Sequence, residues 1–408
     1  RLPWREDLLA WLRAQRAGGR RLVLVTAADR RTAEAVAAEL DLFDEVIASD
    51  GQRNLSGNAK RDALIERYGR GGYDYAGNSS DDLPVWRDAH EAIAVDAPRR
   101  VLLRARLQGT LGQVFPRPAR LLAWLRAMRP HQWLKNLLVF LPVLLSHQFG
   151  NTGEMFASLA AFAAFCLCAS SVYLLNDLFD LDADRQHPRK RRRPFAAGRL
   201  PAAKGVVVAV ALLTIALLAA AAVGPALLLV LSIYYALTLA YSLHLKRQVV
   251  VDVLLLAALY TIRIVAGTAA TGIEASFWLL AFSGFLFLSL AIVKRYAELE
   301  SYRVAGGEAH GRGYRVADLP TLGNMGVTSG FGAVIILALY VQSPQPQLLY
   351  GHAWALWLLC PLLLYWIMRM WFETQRGRMH DDPIVFALRD PPSRIVAVLA
   401  LAILTAAA

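Results

Sequence analysis

The residues best suited to chemistry lie between Asn176 and Arg193, at the end of a long apolar run. On a helix, Asp177, Asp180 and Asp184 would occupy positions i, i+3 and i+7, so their carboxylates would project from one face. Like charges this close need a cation among them. Their oxygens suit Mg²⁺, which takes one or two carboxylates and completes its shell with phosphate oxygens and water. The spacing therefore predicts a magnesium-diphosphate site at the mouth of a membrane helix, with Asn176 beside it.

A basic run follows these aspartates and includes Lys190 and Arg193. We expect its side chains to bind the phosphate oxygens that the metal does not reach. Two simpler interpretations compete with this one. An Asp-rich turn before Arg and Lys can be a solvated loop, and a basic run beside a membrane can be only the positive-inside signal. The helical spacing of the acidic residues favours the site.

The composition places these residues in a membrane protein. Hydrophobic residues make up 56% of the 408 residues and charged residues only 19%, which is too apolar for a wholly soluble chain. A formal net charge of +12 could suggest nucleic acid, but the basic residues among the apolar runs are gathered in a few loops. We therefore expect membrane lipids, and no nucleic acid, as partners.

The chain has nine apolar runs, and most of them approach the roughly 20 residues that a bilayer requires, whereas the first and the last are shorter. They lie at 136–149, 155–175, 205–223, 226–245, 251–271, 276–293, 321–341, 352–371 and 393–408. Alternate loops hold nearly all the Lys and Arg of this part of the chain, so the positive-inside rule places those loops in the cytoplasm. The charge pattern predicts that the N-terminal segment and the aspartates face the cytoplasm. We expect the membrane to be the cytoplasmic membrane of a bacterium, although the charges do not identify it.

The N-terminal segment, residues 1–105, is typical of a soluble α/β domain. Short apolar runs of strand length alternate with helical stretches, which indicates βαβ units on a parallel sheet. The expected strands are 22–27, 45–49, 73–76 and 92–95, and the expected helices are 8–15, 31–40 and 60–68. Residues 106–120 are expected to be a linker because of their Gly and Pro content, and 121–408 to be the membrane domain.

This N-terminal segment resembles the haloacid-dehalogenase-like phosphatase superfamily, a Rossmann-like α/β fold. The resemblance rests on Thr26 after a strand, Lys60 opening a helix, and the run Gly77-Asn78-Ser79-Ser80-Asp81-Asp82. It implies that Thr26 and Lys60 hold a phosphoryl group and that the Asp81 region helps to hold Mg²⁺. The family's Asp-x-Asp-Gly nucleophile motif is missing from the segment and would belong before Arg1. Without that nucleophile no phospho-enzyme can form, so we do not expect catalysis from this domain as given.

Further residues suited to phosphate binding occur at the predicted cytoplasmic ends of other spans. Arg263 is the one basic residue within a span, and it needs either a wet cavity or a carboxylate partner. The candidate substrate-binding residues outside the aspartate segment are Lys135, Tyr241, Lys246, Arg263, Lys294, Arg295 and Glu298.

From residue 120 onward the chain resembles the UbiA superfamily of intramembrane prenyltransferases. The pattern Asn-Asp-x-x-Asp-x-x-x-Asp carries the resemblance, here Asn176, Asp177, Asp180 and Asp184, followed by Arg193-Pro194-Phe195-Ala196-Ala197-Gly198. It implies nine membrane helices, an Mg²⁺-diphosphate site under a cytoplasmic cap, and a lateral opening for a lipid tail.

Most enzymes of that superfamily carry a second motif, Asp-x-x-x-Asp, after the sixth span, where this chain has Lys294-Arg295-Tyr296-Ala297-Glu298. With the entry segment Arg129 to Asn136, this is similar to the branch that transfers phosphoribose from phosphoribosyl pyrophosphate (PRPP) to a polyprenyl phosphate for arabinan cell-wall synthesis. The resemblance implies that Asp177 and Asp180 hold Mg²⁺ and that the basic residues neutralise phosphates.

Other functions stay open at this point. The same fold could move a polyprenyl group from its diphosphate to an aromatic or other acceptor. The chain could instead be a phosphatase with a membrane anchor, or a fusion whose soluble domain removes the 5-phosphate of the lipid product. A non-catalytic lipid-binding protein would leave the aspartates unexplained.

Overall fold

The computed structural model describes residues 4–50, 54–116, 120–146, 150–187, 190–304, 313–379 and 382–408. The chain divides into two compact units. The first comprises Arg1–Trp124 with Leu181–Leu200, and the second comprises Leu125–Asp180 with Pro201–Ala408. Each is described by itself.

Short helices and strands alternate in the first unit, as the sequence predicts. Its strands are β1 (Val23–Asp29), β2 (Glu45–Ser49), β3 (Tyr75–Gly77), β4 (Ala92–Val95) and β5 (Leu111–Phe115). The helices between them are α1 (Glu6–Ala17), α2 (Arg30–Leu40), α3 (Gly57–Tyr68), α4 (Leu83–Arg87) and α5 (Arg99–Leu107).

All strand pairs of this unit are parallel. Strand β1 pairs with β2, and β3, β4 and β5 form a second sheet in that order. The predicted parallel βαβ arrangement is thus confirmed. Strand β5 lies within the segment 106–120 that the sequence analysis takes as a linker, so the sheet extends further along the chain than expected. Gly and Pro content alone cannot exclude a short strand, because pairing with β4 depends on residues distant in the sequence.

The core of this unit forms around Trp86, which is fully buried with its neighbour Val85. The indole Nε1 donates a hydrogen bond to the carbonyl oxygen of Tyr75 at 2.9 Å. A buried Trp N–H needs such a partner. This bond therefore fixes the start of β3, and with it the loop that follows.

Helices dominate the rest of the chain. They are α6 (Arg120–Met128), α7 (Leu141–Leu145), α8 (Thr152–Phe179), α9 (Leu181–Gln186), α10 (Ala202–Val223), α11 (Pro225–Leu243), α12 (Val251–Thr271), α13 (Phe277–Val304), α14 (Leu319–Gln342), α15 (Pro344–Leu349), α16 (Leu359–Gln375), α17 (Pro383–Arg389) and α18 (Pro391–Ala407). Helix α6 confirms the predicted helix near 121–128, and α9 belongs to the first unit.

Among the described residues, seven helices are long and apolar enough to cross a membrane, or eight if α17 and α18, bent by 86°, count as one span. Seven of the nine predicted runs correspond to these helices. The first, 136–149, begins in a 3-10 helix, Pro130–Phe140, and continues into the five-residue α7, while 147–149 lie outside the described residues. A 3-10 helix has poorer hydrogen-bond geometry and is short, so this segment does not pass as a membrane helix by length.

The predicted turn in the long uncharged stretch 205–245 is confirmed. Helix α10 ends at Val223 and α11 begins at Pro225, a residue suited to the first position of a helix. Large apolar side chains on these helices point outward, among them Val207, Leu218 and Leu229, which are 69%, 65% and 61% exposed. Outward apolar faces of this kind suit contact with lipid.

Helix α12 and the 3-10 segment Pro130–Phe140 approach each other closely at Gly267. A Cβ added at Gly267 would lie 2.1 Å from the carbonyl oxygen of Val139. Only glycine permits this approach. Arg263 lies one turn earlier on α12, so the approach also sets the distance between Arg263 and the 3-10 segment.

Candidate active site

Asp177 lies in the last turn of α8 and is almost wholly buried. Its Oδ1 accepts a hydrogen bond at 2.5 Å from Nη2 of Arg129. The Arg129 guanidinium also lies 5.2 Å from the centroid of the Tyr173 ring. A buried carboxylate requires such a partner, because burial without one strongly disfavours its charge. Arg129 therefore supplies a positive charge at this aspartate, where the sequence analysis places Mg²⁺.

Asp180 ends α8 and is more accessible, with its side chain 43% exposed. Nζ of Lys246 lies 4.0 Å from its Oδ1, at the limit of an ion pair. Asn176 is half-buried, and its backbone carbonyl accepts the N–H of Asp180 at 3.0 Å. The structure thus brings Lys246 to the second aspartate, although the two residues are far apart in the sequence.

Asp184 does not continue the helical face of the other two aspartates, contrary to the prediction. Helix α8 ends at Phe179 and Asp184 lies on the separate helix α9. An acidic cluster at a helix C-terminus opposes the helix dipole, which favours a break there. Among the residues that the structure describes, no group of three or more His, Cys, Asp or Glu side chains is placed to hold a metal.

Within the first unit, Asp184 has its own partner. It is buried, and its Oδ2 accepts a hydrogen bond at 2.6 Å from Nη1 of Arg193. Lys190 is exposed and begins a short 3-10 helix, Lys190–Arg192. Of the predicted phosphate-binding residues in this run, Arg193 therefore holds a carboxylate and Lys190 faces solvent.

Asp252 contacts two of the predicted site residues, Arg295 and Tyr241, and Arg295 in turn contacts a third, Glu298. Asp252 is fully buried in the first turn of α12 and accepts bonds from Nε and Nη2 of Arg295 at 2.7 and 3.0 Å. The hydroxyl of Tyr241 donates to it at 2.9 Å, and Nη1 of Arg295 bonds Glu298. A two-bond guanidinium–carboxylate pair of this kind is strong and directional. The Arg295 side chain, 1% exposed, thus joins α12 to α13, and a phosphate could reach it only by displacing Asp252.

Asp382 contacts two more of the predicted site residues, Lys135 and Lys294. The ammonium group of Lys135 donates a hydrogen bond to Oδ2 of Asp382, and that of Lys294 does so at 3.4 Å. Asp382 also caps α17 by accepting the N–H of Ile384 at 3.2 Å. Burial alone would raise the pKa of Asp382, but the charges of Lys135 and Lys294 hold it below its usual value. The carboxylate is therefore ionised at neutral pH.

Arg263 is buried among neutral partners. Its Nε donates to Oδ1 of Asn136 at 2.8 Å and its Nη2 to the hydroxyl of Tyr234 at 3.0 Å, while its Nη1 bonds the carbonyl of Leu259. No carboxylate forms an ion pair with it within the described residues. The structural ion pair considered in the sequence analysis is therefore absent from that part of the chain.

Asp252 and Asp382 are carboxylates of this site to which the sequence analysis assigns no role. Each carried a signal: Asp252 opens an apolar run of span length, where a carboxylate is costly and usually functional. Asp382 precedes Pro383, an arrangement typical of a helix start. Their partners lie up to 247 positions away, however, and no local pattern encodes such distances.

In the first unit, Lys60 lies beside Asp82 rather than Asp81. Nζ of Lys60 is 3.3 Å from Oδ1 of Asp82 and 2.9 Å from the hydroxyl of Tyr75. Burial would raise the pKa of Asp82, but the backbone N–H groups of Asn78 and Ser79, followed by Lys60, hold it below its usual value.

The other predicted residues of this unit lie elsewhere. Asp81 is exposed, and Thr26 accepts the N–H of Ala28 at 3.1 Å. A Cβ at Gly77 would lie 2.7 Å from Cγ of Asp82, so glycine is required for the loop to close over this carboxylate. The carboxylate of this run that turns inward is thus Asp82, the residue after Asp81.

Comparison with known proteins agrees with this architecture. The model of the UbiA prenyltransferase family matches residues 137–389, and that of haloacid dehalogenase-like hydrolases matches residues 1–87. In the structure of a UbiA homologue from Archaeoglobus fulgidus bound to GPP and Mg²⁺, the fold is similar, with a TM-score of 0.53 at 18% identity. The match covers 69% of this chain and 99% of that one.

Three relatives extend the comparison. The uncharacterized protein y4nM of Sinorhizobium fredii is 37% identical over 98% of this chain and 78% of its own length. Nodulation protein NoeC of Azorhizobium caulinodans is 36% identical over 69% and 92%. Decaprenyl-phosphate phosphoribosyltransferase of Mycobacterium tuberculosis is 43% identical over 45% of this chain, which spans 62% of that enzyme.

The family model covers more than half of the chain and coincides with the apolar helices and with the carboxylates at the end of α8. The chain therefore belongs to the UbiA prenyltransferase family, as an integral membrane transferase.

Proposed function

We propose that this protein transfers phosphoribose from PRPP to a polyprenyl phosphate and releases pyrophosphate. The observation that carries the proposal is the end of α13, where Lys294, Arg295 and Glu298 stand in place of a second acidic motif. A single acidic pair suits one metal-bound diphosphate. The remaining phosphates of a phosphoribosyl donor and a lipid phosphate acceptor then require cationic side chains. The 43% identity to a decaprenyl-phosphate phosphoribosyltransferase supports the same assignment.

In this proposal Asp177 and Asp180 hold Mg²⁺, and Asn176 orients them. The donor set fits, since two carboxylates one helical turn apart supply the hard oxygen ligands that Mg²⁺ prefers, with phosphate and water completing the shell. When bound, the metal supplies charge stabilisation for a leaving pyrophosphate. Arg129 already bonds Asp177, so its guanidinium is placed to contact a diphosphate bound beside this carboxylate.

Lys246 and Lys294 have partly exposed side chains and serve as phosphate contacts in the proposal. Arg295 acts differently: through Asp252 it positions the hydroxyl of Tyr241, and through its Nη1 it holds Glu298. The contacts proposed for Lys190 and Arg193, and the orienting role of Asp184, rest on the sequence motif.

The reaction forms a bond between an oxygen of the lipid phosphate and the anomeric carbon of the ribose. The bond from that carbon to the pyrophosphate oxygen breaks, and the pyrophosphate leaves with the electron pair. Positive charge develops at the ring oxygen and carbon, where preorganised groups can stabilise it. No general base is needed, since a phosphate acceptor is already ionised at neutral pH.

The polyprenyl chain needs an apolar channel, and the second unit contains a cavity of about 800 Å³. Its lining is mostly apolar and includes Leu145, Trp278, Leu337, Leu363 and Leu404. These residues lie at the helix ends that join the loops free of Lys and Arg, away from the carboxyl end of α8. We propose that the far part of the chain occupies it. The charge pattern supports a site on the cytoplasmic side, and we propose that the membrane is the cytoplasmic membrane of a bacterium.

One measurement tests the function. Purified protein in detergent with Mg²⁺ receives PRPP and a polyprenyl phosphate, and a parallel reaction receives a polyprenyl diphosphate and 4-hydroxybenzoate. Pyrophosphate release that depends on both PRPP and the lipid phosphate is expected. Release only in the parallel reaction would assign prenyl transfer to an aromatic acceptor instead.

A further inference from the structure

Lys135, Arg263 and Lys294 form an inner cationic cluster around Asp382. Lys135 and Lys294 share Oδ2 of Asp382. Lys135 and Arg263 flank the same aromatic ring, since Nζ of Lys135 and Cζ of Arg263 lie 5.4 and 5.5 Å from the Tyr260 centroid. Three helical segments and the residue preceding α17 therefore place these groups together.

The cluster is not electrically balanced. Among the residues that the structure describes, three cations face one carboxylate, because Arg263 bonds the neutral groups of Asn136, Tyr234 and Leu259. Arg263 and Asp382 are buried, and the Lys135 side chain is only 10% exposed. Burial lowers the pKa of Lys135, Asp382 opposes this, and the charge of Arg263 lowers it further. Unbalanced charge in apolar surroundings is costly, which marks the cluster as a site for an anion.

The size of the imbalance indicates which anion. Within the described part of the chain two positive charges are left over, and a phosphomonoester carries about −1.5 to −2 at neutral pH. Lysine ammonium groups act as point charges on phosphate oxygens without demanding a planar partner. The Lys294 side chain is 39% exposed, so the cluster can be reached from one side, while Lys135 and Arg263 form its inner wall.

We infer that Lys135 and Lys294, backed by Arg263, form a phosphomonoester subsite and that Asp382 is the positioning residue that holds both ammonium groups in place. The subsite uses residues other than Asp177 and Asp180, to which the diphosphate is assigned. Two phosphomonoesters take part in the proposed reaction, the lipid phosphate and the 5-phosphate of PRPP. Naming these two ligands rests on the proposed function, whereas the subsite itself rests on the cluster.

The test is equilibrium binding without Mg²⁺ to protein in nanodiscs. The probes are decaprenyl phosphate, ribose 5-phosphate and, as a lipid control, decaprenol. Lys294→Gln is the main variant because its side chain is partly exposed and its loss leaves Asp382 paired with Lys135. Lys204→Gln, an exposed lysine at the start of α10, is the matched control.

We expect Lys294→Gln to weaken binding of one phosphomonoester at least tenfold, with Lys294→Arg restoring most of it and Lys204→Gln changing nothing. The probe that is weakened identifies the source of the phosphate. Asp382→Asn should weaken the same probe while decaprenol binding is unchanged, since a merely structural defect would alter both. Equal binding of both phosphomonoesters by the parent protein and Lys294→Gln would overturn the subsite.

The failure of the proposed function would look different. If the protein releases no pyrophosphate from PRPP but Lys294→Gln still weakens phosphomonoester binding, the subsite is supported and the proposed phosphoribosyl transfer is wrong. If the protein turns over PRPP but the variants bind both phosphomonoesters normally, the proposed function is supported and the subsite is wrong.

Discussion

Helices α8 and α13 are both 28 residues long, yet they carry opposite charges towards their carboxyl ends. Helix α8 ends in Asp177 and Asp180, while α13 carries Lys294 and Arg295. The helix dipole favours cations at a carboxyl end and disfavours anions there. Lys294 and Arg295, however, lie more than two turns before Val304, the last residue of α13, where the dipole has little effect, and the buried guanidinium of Arg295 is neutralised by Asp252 and Glu298. The acidic residues of α8 oppose the dipole, and in the structure they lie next to Arg129 and Lys246.

The acidic end should be the more sensitive of the two in catalysis. Asp177→Asn or Asp180→Asn should lower pyrophosphate release about 10³-fold or more, equivalent to ~4 kcal/mol of transition-state stabilisation, because each removes a metal ligand. Steady-state kinetics with PRPP and polyprenyl phosphate measure this. Asp182→Asn is the control, since that side chain is 92% exposed and should tolerate the change. Near-normal turnover in either main variant would remove the metal assignment.

The basic end should be the more sensitive in stability. Asp252→Asn leaves Arg295 buried without its main partner, and breaking a buried pair in this way costs about 3–5 kcal/mol. Thermal unfolding in detergent would report the loss. Arg303→Met on the same helix breaks a pair with Glu300 whose arginine is 58% exposed, so solvent screens the pair and its loss should cost far less. Equal losses in the two variants would mean that the Asp252–Arg295 pair is not structural.

The contact between Asp180 and Lys246 should have an intermediate effect. Lys246→Met removes a partly exposed charge at the acidic end, and we expect roughly a tenfold rise in KM for PRPP with a smaller change in kcat. Arg247→Met, its exposed neighbour, is the control. An equal response of both variants would indicate general surface electrostatics rather than a phosphate contact.

The smallest effect is expected at the cavity, far from both charged ends. Leu337→Trp should fill part of the cavity and raise KM about threefold for a long polyprenyl phosphate, with no effect on a short-chain analogue. Leu339→Trp places the same residue on the outward face of α14, where Leu339 is 53% exposed, and should be silent. A response independent of chain length would assign the cavity another role.

The sequence predicted those features that depend on neighbouring residues. The break at Gly224-Pro225, the alternating strands and helices of the first unit, and the aspartate pair at the end of an apolar run are all local patterns. It predicted one helical face for Asp177, Asp180 and Asp184, because spacing alone does not reveal where a helix ends. It chose Asp81 over Asp82, since only the packing of Gly77 against that carboxylate decides which one turns inward.

Ion pairs between distant elements were beyond the sequence for the same reason. The roles of Arg295 and of Asp382 depend on partners on other helices. The sequence does not show whether a basic residue near a membrane boundary contacts solvent, a substrate or a buried carboxylate. All such residues were therefore predicted to bind phosphate. The structure distinguishes two of these residues. Arg295 is paired with two carboxylates, whereas Lys294 lies 3.4 Å from one carboxylate oxygen, on Asp382.

The close approach at Gly267 gives a steric change an electrostatic phenotype. Gly267→Ala would add one methyl group against the carbonyl of Val139 without changing any charge. The methyl group would push the 3-10 segment away from α12. Asn136 would then withdraw from the guanidinium of Arg263, and Lys135, its neighbour in the sequence, would move with it. A mutant screen that scored only charged and polar positions would pass over this glycine, although it sets the spacing on which those charges depend.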